Sequence, residues 1–161
     1  MFFGQFETKL DLMKRFAVPE EYKKLLEEEG SLKQSFYIIG SDALSIYSAK
    51  AFSDLTQERY NQKTSKMQVD VKTALMANVM MSTYMELKYD KKGRIKLPKL
   101  FVKLLKFKIK EPIYIVGCGD HFEIWKKDIW EKEEEIQKWR DLYLQEFTMH
   151  MYRVKKSNRY K

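Results

Sequence analysis

Cysteine is nearly missing from this sequence: its 161 residues contain one, Cys118. A single thiol cannot form an internal disulfide, and its isolation fits a reducing compartment. Histidine is almost as rare, with two in the chain. Cys118, Asp120, His121 and Glu123 do crowd one short stretch, but one Cys and two His are poor material for a zinc framework, and the stretch reads as a Gly-x-Gly-Asp hairpin turn. The six glycines and three prolines leave no glycine-rich phosphate loop and no Gly-x-Ser-x-Gly elbow. Glu27-Glu28-Glu29 and Glu133-Glu134-Glu135 read as solvated helix faces, and His150 as an ordinary helix residue. No apolar run approaches the roughly 20 residues of a membrane span. The first residues, Met1-Phe2-Phe3-Gly4-Gln5-Phe6, lack the basic region and apolar stretch of a signal peptide. The expectation is a soluble cytoplasmic protein that is no enzyme, with no metal, cofactor, membrane or small-molecule substrate.

What the chain does hold is apolar material, positive charge and a repeat. Apolar residues make up 44% of it, enough for a core, and its net charge is +8. The charge favours a polyanionic partner, although its location decides what it means. Arg153, Lys155, Lys156, Arg159 and Lys161 form a basic tail with no acid, and such tails are often merely solvated. The more informative cations lie inside the repeat.

Asp11-Leu12-Met13-Lys14-Arg15-Phe16-Ala17-Val18-Pro19 is answered by Asp90-Lys91-Lys92-Gly93-Arg94-Ile95-Lys96-Leu97-Pro98, 79 positions later. Both read Asp-x-x-x-Arg-apolar-x-apolar-Pro. Downstream, Tyr37-Ile38-Ile39-Gly40 is echoed by Tyr114-Ile115-Val116-Gly117, and Leu44-Ser45-Ile46-Tyr47 by Phe122-Glu123-Ile124-Trp125, while Phe52 matches Trp130. Tyr47, Trp125 and Trp130 at matched positions point to packing rather than base stacking. Each copy, about 55 residues long, is marginal alone, so the two are expected to share a core with pseudo-two-fold symmetry.

The same order of elements is predicted twice: a short strand, the Asp-x-x-x-Arg turn, a second short strand, a helix opened by Pro19 or Pro98, and a hairpin. Met67, Val71, Leu75 and Val79 at helical spacing suggest a connecting helix. Ile136, Trp139, Tyr143 and Phe147 suggest a long amphipathic C-terminal helix that frays into the basic tail. The expected divisions are a first unit over 1–58, a connecting helix over 59–81, a second unit over 82–130, and the helix and tail over 131–161.

Taken together, these residues resemble the MraZ family, in the swapped-hairpin group of AbrB and SpoVT DNA-binding domains. The sharpest pieces are Met1-Phe2-x-Gly4, Tyr89-Asp90-Lys91-Lys92-Gly93-Arg94-Ile95-x-Leu97-Pro98, and Val116-Gly117-x-Gly119-Asp120-x-Phe122-Glu123-Ile124-Trp125. The first motif departs from the pattern, with Met13-Lys14 where Lys-Gly is usual, and glycine there would allow positive φ. The resemblance implies an α+β fold of two tandem units forming one β-barrel-like core with short helices, plus the C-terminal helix. It implies a nucleoid-associated repressor of the division and cell-wall gene cluster, its own gene included. Such a repressor would bind short direct repeats of double-stranded promoter DNA as a ring-shaped homo-oligomer. An AbrB-type antitoxin, a non-specific nucleoid protein and a protein-interaction scaffold are the other readings.

Within the motif, Lys14, Arg15, Lys91, Lys92 and Arg94 are the candidate DNA contacts. Arginine can clamp a phosphate or grip guanine O6 and N7, and lysine adds charge. Asp11 and Asp90 would repel phosphate and are read as turn formers whose carboxylates bond backbone N–H groups or hold the arginine. On the residues alone, each Asp–Arg pair could equally be an internal salt bridge.

Overall fold

The computed structural model describes residues 1–30, 35–39, 42–64, 71, 75, 82 and 85–159. The chain divides into two compact units, Met1–Lys127 and Asp128–Lys161. The first holds both repeats. Repeat one supplies β1 (Gln5–Lys9), β2 (Arg15–Ala17), α1 (Glu20–Glu28), β3 (Ser35–Ile39) and β4 (Ala43–Ser48), followed by α2 (Ala49–Thr64). Repeat two supplies β5 (Met85–Leu87), β6 (Arg94–Lys96), α3 (Lys99–Leu105), β7 (Pro112–Gly117) and β8 (His121–Lys126). Pro19 and Pro98 sit at the N-cap, one place before the first helical turn, because their extended backbone ends the preceding strand. α1 is stopped by Gly30, whose φ of 67° is the left-handed cap geometry that glycine adopts without strain. Most of the expected connecting helix, and the turn at Gly40-Ser41, lie outside the described residues.

The strands form a six-stranded antiparallel sheet in the order β1-β7-β8-β4-β3-β5, and a separate two-stranded ribbon, β2-β6. The first strand of each repeat therefore joins the hairpin of the other: β1 pairs with β7, and β5 with β3. The order reads the same after the repeats are exchanged, so the expected pseudo-symmetry is present. Its axis passes through Phe16–Ile95 in the ribbon and Ser45–Glu123 in the sheet, where repeat-matched residues face each other. The barrel-like core expected from the sequence is corrected to an open sheet with β1 and β5 at its edges, among the described residues.

One hydrophobic cluster runs through both repeats. Phe16, Tyr22, Leu26, Leu44 and Ile46 from the first meet Ile95, Phe101, Ile113, Phe122 and Ile124 from the second, all at most 1% exposed. Burying each such side chain contributes about 1.5–3 kcal/mol, so each repeat, marginal alone, draws stability from the other. Tyr22 ties the N-terminus to this core. Its hydroxyl donates to the carbonyl of Phe3 at 2.6 Å, and its ring meets Phe2 and Phe6 edge-on. Burial is the main cause that pushes its pKa up to about 12.

The second unit, with most of α4 (Lys127–Lys132), is dominated by α5 (Glu134–Arg159), a helix with no buried residue. Trp139, Tyr143, Phe147 and Tyr152 are all more than half exposed. The predicted fraying is corrected as well: the helix continues through Arg159. No Gly or Pro interrupts residues 149–159, and Lys156 and Arg159 in the last turn suit the negative end of the helix dipole. No helix is long and apolar enough to cross a membrane, among the described residues.

The join between N-terminus and sheet gives a direct test. A Cβ on Gly117 would lie 2.6 Å from the Phe3 nitrogen and 2.6 Å from the Tyr22 hydroxyl. Gly117→Ala should therefore cost about 1–3 kcal/mol, as overpacking against backbone does. A urea midpoint equal to wild type would show that the N-terminal segment is not held there.

Candidate nucleic-acid interface

The repeated motif folds into the same turn twice. Oδ1 of Asp11 accepts the amides of Met13 (2.8 Å) and Arg15 (2.9 Å), and its Oδ2 accepts Nε of Arg15 at 2.7 Å. Asp90 repeats this with the amides of Lys92 and Arg94 (both 2.9 Å) and Nε of Arg94 at 2.7 Å. An aspartate closing its own turn is the Asx arrangement. Both carboxyls are held below the usual carboxylate range. At Asp11, burial pulls upward and is outweighed by the bonds from Arg15 and Met13. At Asp90, the amide of Arg94 contributes most, against burial and with the Arg94 side chain and the Lys92 amide adding to it.

Lys14 answers Gly93, and both have positive φ, 55° and 72°. The non-glycine copy thus keeps the turn and carries the strain of a left-handed lysine. The two turns are also stitched to each other. Val18 donates to the carbonyl of Gly93 (3.1 Å) and Leu97 to that of Lys14 (3.0 Å), a reciprocal pair across the axis. Nη1 of Arg15 lies 3.9 Å from Asp90, and Nη1 of Arg94 lies 4.0 Å from Asp11. Both readings of the arginines are therefore compatible: each is ion-paired within its turn, yet the two side chains stay 30% and 29% exposed.

The β2-β6 ribbon turns Phe16 and Ile95 into the core, and alternation sends their neighbours outward. Arg15 stands opposite Lys96 and Ala17 opposite Arg94, so one face presents Arg15, Arg94 and Lys96. Lys91 and Lys92 are exposed in the adjoining turn and Lys14 is half-buried in its counterpart. All five sequence-predicted cations thus lie on the ribbon or its turns. Lys96 was missed by the sequence reading. The signal was available in Arg94-Ile95-Lys96-Leu97, where cationic and buried apolar residues alternate.

A second cluster sits at the tip of the β7-β8 hairpin. Cys118 donates its amide to the carbonyl of His121 (2.9 Å), closing the turn around Gly119 and Asp120. Donor atoms of Cys118, His121 and Glu123 lie within 4.8 Å of one another. Nδ1 of His121 is 2.7 Å from Asp120 and Nε2 is 3.2 Å from Glu123. Burial disfavours the charged imidazole, but bonds to Cys118, Glu123 and Asp120 push its pKa up to about 10. The Gly-x-Gly-Asp turn expected there is present, and it holds three of the donors crowded in that stretch within reach of one another.

Comparison with known proteins returns one family name. A family model described as "MraZ protein, putative antitoxin-like" matches residues 80–142. Proteins named "Transcriptional regulator MraZ" are similar over most of the chain. The one from Dictyoglomus thermophilum is 28% identical, over 84% of this chain and 88% of that protein. The one from Phenylobacterium zucineum is 29% identical, over 86% and 82% respectively. The one from Mycoplasma mobile is 29% identical, over 84% and 91%.

Two outcomes follow from the turn geometry. Lys14→Gly should raise stability by about 0.5–1 kcal/mol, the left-handed strain relieved less the added chain entropy. A drop in melting temperature would place the φ of Lys14 elsewhere. A carboxyl whose folded pKa is lowered contributes stability above its unfolded pKa, and loses it as pH falls through the folded value. Stability should therefore fall in acid below about pH 4. Asp11→Asn with Asp90→Asn should lower the melting temperature at neutral pH and flatten that acid limb. An acid limb of unchanged depth in the double variant would separate the aspartates from it.

Proposed function

We propose that this chain, similar over most of its length to proteins named as MraZ transcriptional regulators, is a sequence-specific DNA-binding repressor whose β2-β6 ribbon reads duplex DNA. The observation that carries this reading is the joining of two motif copies into one outward face bearing Arg15, Arg94 and Lys96, with Lys14, Lys91 and Lys92 in the flanking turns. A two-stranded ribbon fits the width of the major groove. Nε of each arginine is anchored by an aspartate, which orients the guanidinium before any DNA arrives and reduces the entropy lost on binding. Lys91 and Lys92 suit phosphate, which positions without specifying.

The finer reading keeps the family's pattern. The two repeats act as AbrB/SpoVT-like swapped-hairpin units, consistent with the strand exchange between them. Several subunits form a ring and present one ribbon each to short direct repeats, in the promoter of the division and cell-wall cluster that includes the chain's own gene. Head-to-tail subunits in a ring suit direct repeats better than a two-fold dimer, which suits inverted ones. The protein then resides in the cytoplasm on the nucleoid. The words "antitoxin-like" in the family description favour one second reading, an antitoxin, which requires a toxin partner.

The test is titration of the purified chain against its own upstream DNA and random duplex at several salt concentrations. Lys91→Ala with Lys92→Ala should weaken both DNAs by similar factors and flatten the slope of log affinity against log salt by about 0.9 for each phosphate no longer neutralised. Arg15→Ala with Arg94→Ala should instead shrink the ratio between the two DNAs, since base edges are read by fixed forks. The reading fails if the upstream sequence is not preferred, or if the arginine pair leaves that preference intact.

A further inference from the structure

We propose that Cys118, His121 and Glu123 form a binding site for one zinc-class divalent ion at the tip of the β7-β8 hairpin, with a water in the fourth position. Thiolate, imidazole and carboxylate are the donor types that such an ion takes, and three protein ligands leave a tetrahedral site open at one place. Nε2 of His121 and Oε1 of Glu123, 3.2 Å apart, already have about the 3.3 Å separation of two ligands on a common tetrahedral ion. His121 and Glu123 alternate on β8, so both side chains leave the same face of the strand. Cys118 is exposed and lies two residues beyond Val116 of β7. Its sulfur, 3.6 Å from the Val116 carbonyl, lies within 4.8 Å of the other two donor atoms, and binding would draw it to about 3.5 Å from them and away from that carbonyl.

The surroundings are arranged as a metal site's second layer is. Nδ1 of His121 is bonded to Asp120, which leaves Nε2 to face the cluster, the carboxylate–histidine arrangement that orients a ligating imidazole. Trp125 donates Nε1 to Oε2 of Glu123 at 2.7 Å, which leaves Oε1 toward the histidine. The imidazole proton and the thiol proton must leave as the ion enters, so binding is coupled to proton release. The donors also break the repeat: by the alignment that matches Gly40 with Gly117 and Ser45 with Glu123, repeat one has Ser41, Ala43 and Ser45 in their places. A turn needed only for folding has no reason to gather three ligands in one copy. An occupied site would brace the hairpin where Phe2 pairs with Gly119, and so the N-terminal segment.

The test uses the untagged full chain and Co²⁺ as a spectroscopic probe, followed by Zn²⁺ competition. One equivalent should bind and give a thiolate-to-cobalt charge-transfer band that Zn²⁺ abolishes. Cys118→Ser, an exposed and nearly isosteric change, should remove the band and lower Zn²⁺ affinity by at least tenfold. Glu123→Gln should weaken binding while keeping the band, and Asp120→Asn should cost about 10- to 100-fold in affinity, as loss of an orienting partner does. Zn²⁺ should raise the melting temperature of wild type and not of Cys118→Ser. A chain that binds neither ion at micromolar concentration, or a Cys118→Ser variant with wild-type Zn²⁺ affinity, overturns the proposal. Neither result bears on DNA binding.

Discussion

An aspartate that holds three donors of its own turn is the constraint on which the first unit depends. Asp11 and Asp90 each fix two backbone amides and the arginine four residues on. That bond set reverses the chain between β1 and β2, and between β5 and β6, within a few residues. The reversal sends β2 and β6 away from the sheet, where they meet each other. From this follow the ribbon, the pairing of Phe16 with Ile95 beneath it, and the outward placement of the arginines. Loss of the carboxylate would leave amides unsatisfied and a left-handed residue without its reason. Two of the three donors on each carboxylate are backbone amides, so most of the turn's bonds do not involve the arginine's charge.

Exchange of strands between the repeats makes them one folding unit. β1 without β7, or β5 without β3, would be an unpaired strand of five or three residues. The repeats were legible in the sequence because the motif recurs residue by residue, and the helices were legible from Pro19, Pro98 and Gly30. The choice of partner was not legible. Alternation in β1 states that one face is buried, but a strand's own residues carry no mark of which hairpin buries it. The open form of the sheet was hidden for a related reason: closure depends on strand tilt and stagger across both copies, which no single segment records.

The site was legible in its residues and not in its geometry. Lys14, Arg15, Lys91, Lys92 and Arg94 stood out as cations in a repeated turn. That the two turns abut, so that each arginine approaches the other copy's aspartate, needed the ribbon pairing. Lys96 was passed over because the motif alignment sets it against Ala17, and a position filled in one copy alone looks incidental. In the ribbon it faces Arg15, which makes the outward face more basic than the motif suggested. At the other end, the basic run after His150 continues the helix where fraying was expected. Lysine and arginine are good helix formers, and at a C-terminus their charge helps.

Departures from symmetry are as informative as the symmetry. Where the repeats match, the residues serve the shared core and the twin turns, since both copies must meet the same geometric demand. Lys14 against Gly93 is a mismatch the fold absorbs, because the turn's hydrogen bonds outweigh one strained φ. Glu123 against Ser45 is of another kind. These two residues face each other on the axis, where a symmetric structure would place like with like, and two glutamates there would repel across 78 positions of sequence. Serine in one copy leaves room for a carboxylate in the other, and that carboxylate is then oriented by Trp125 and His121 from its own strand. The asymmetry at the axis thus permits a polar cluster at the β7-β8 tip that neither copy could have carried if both had it.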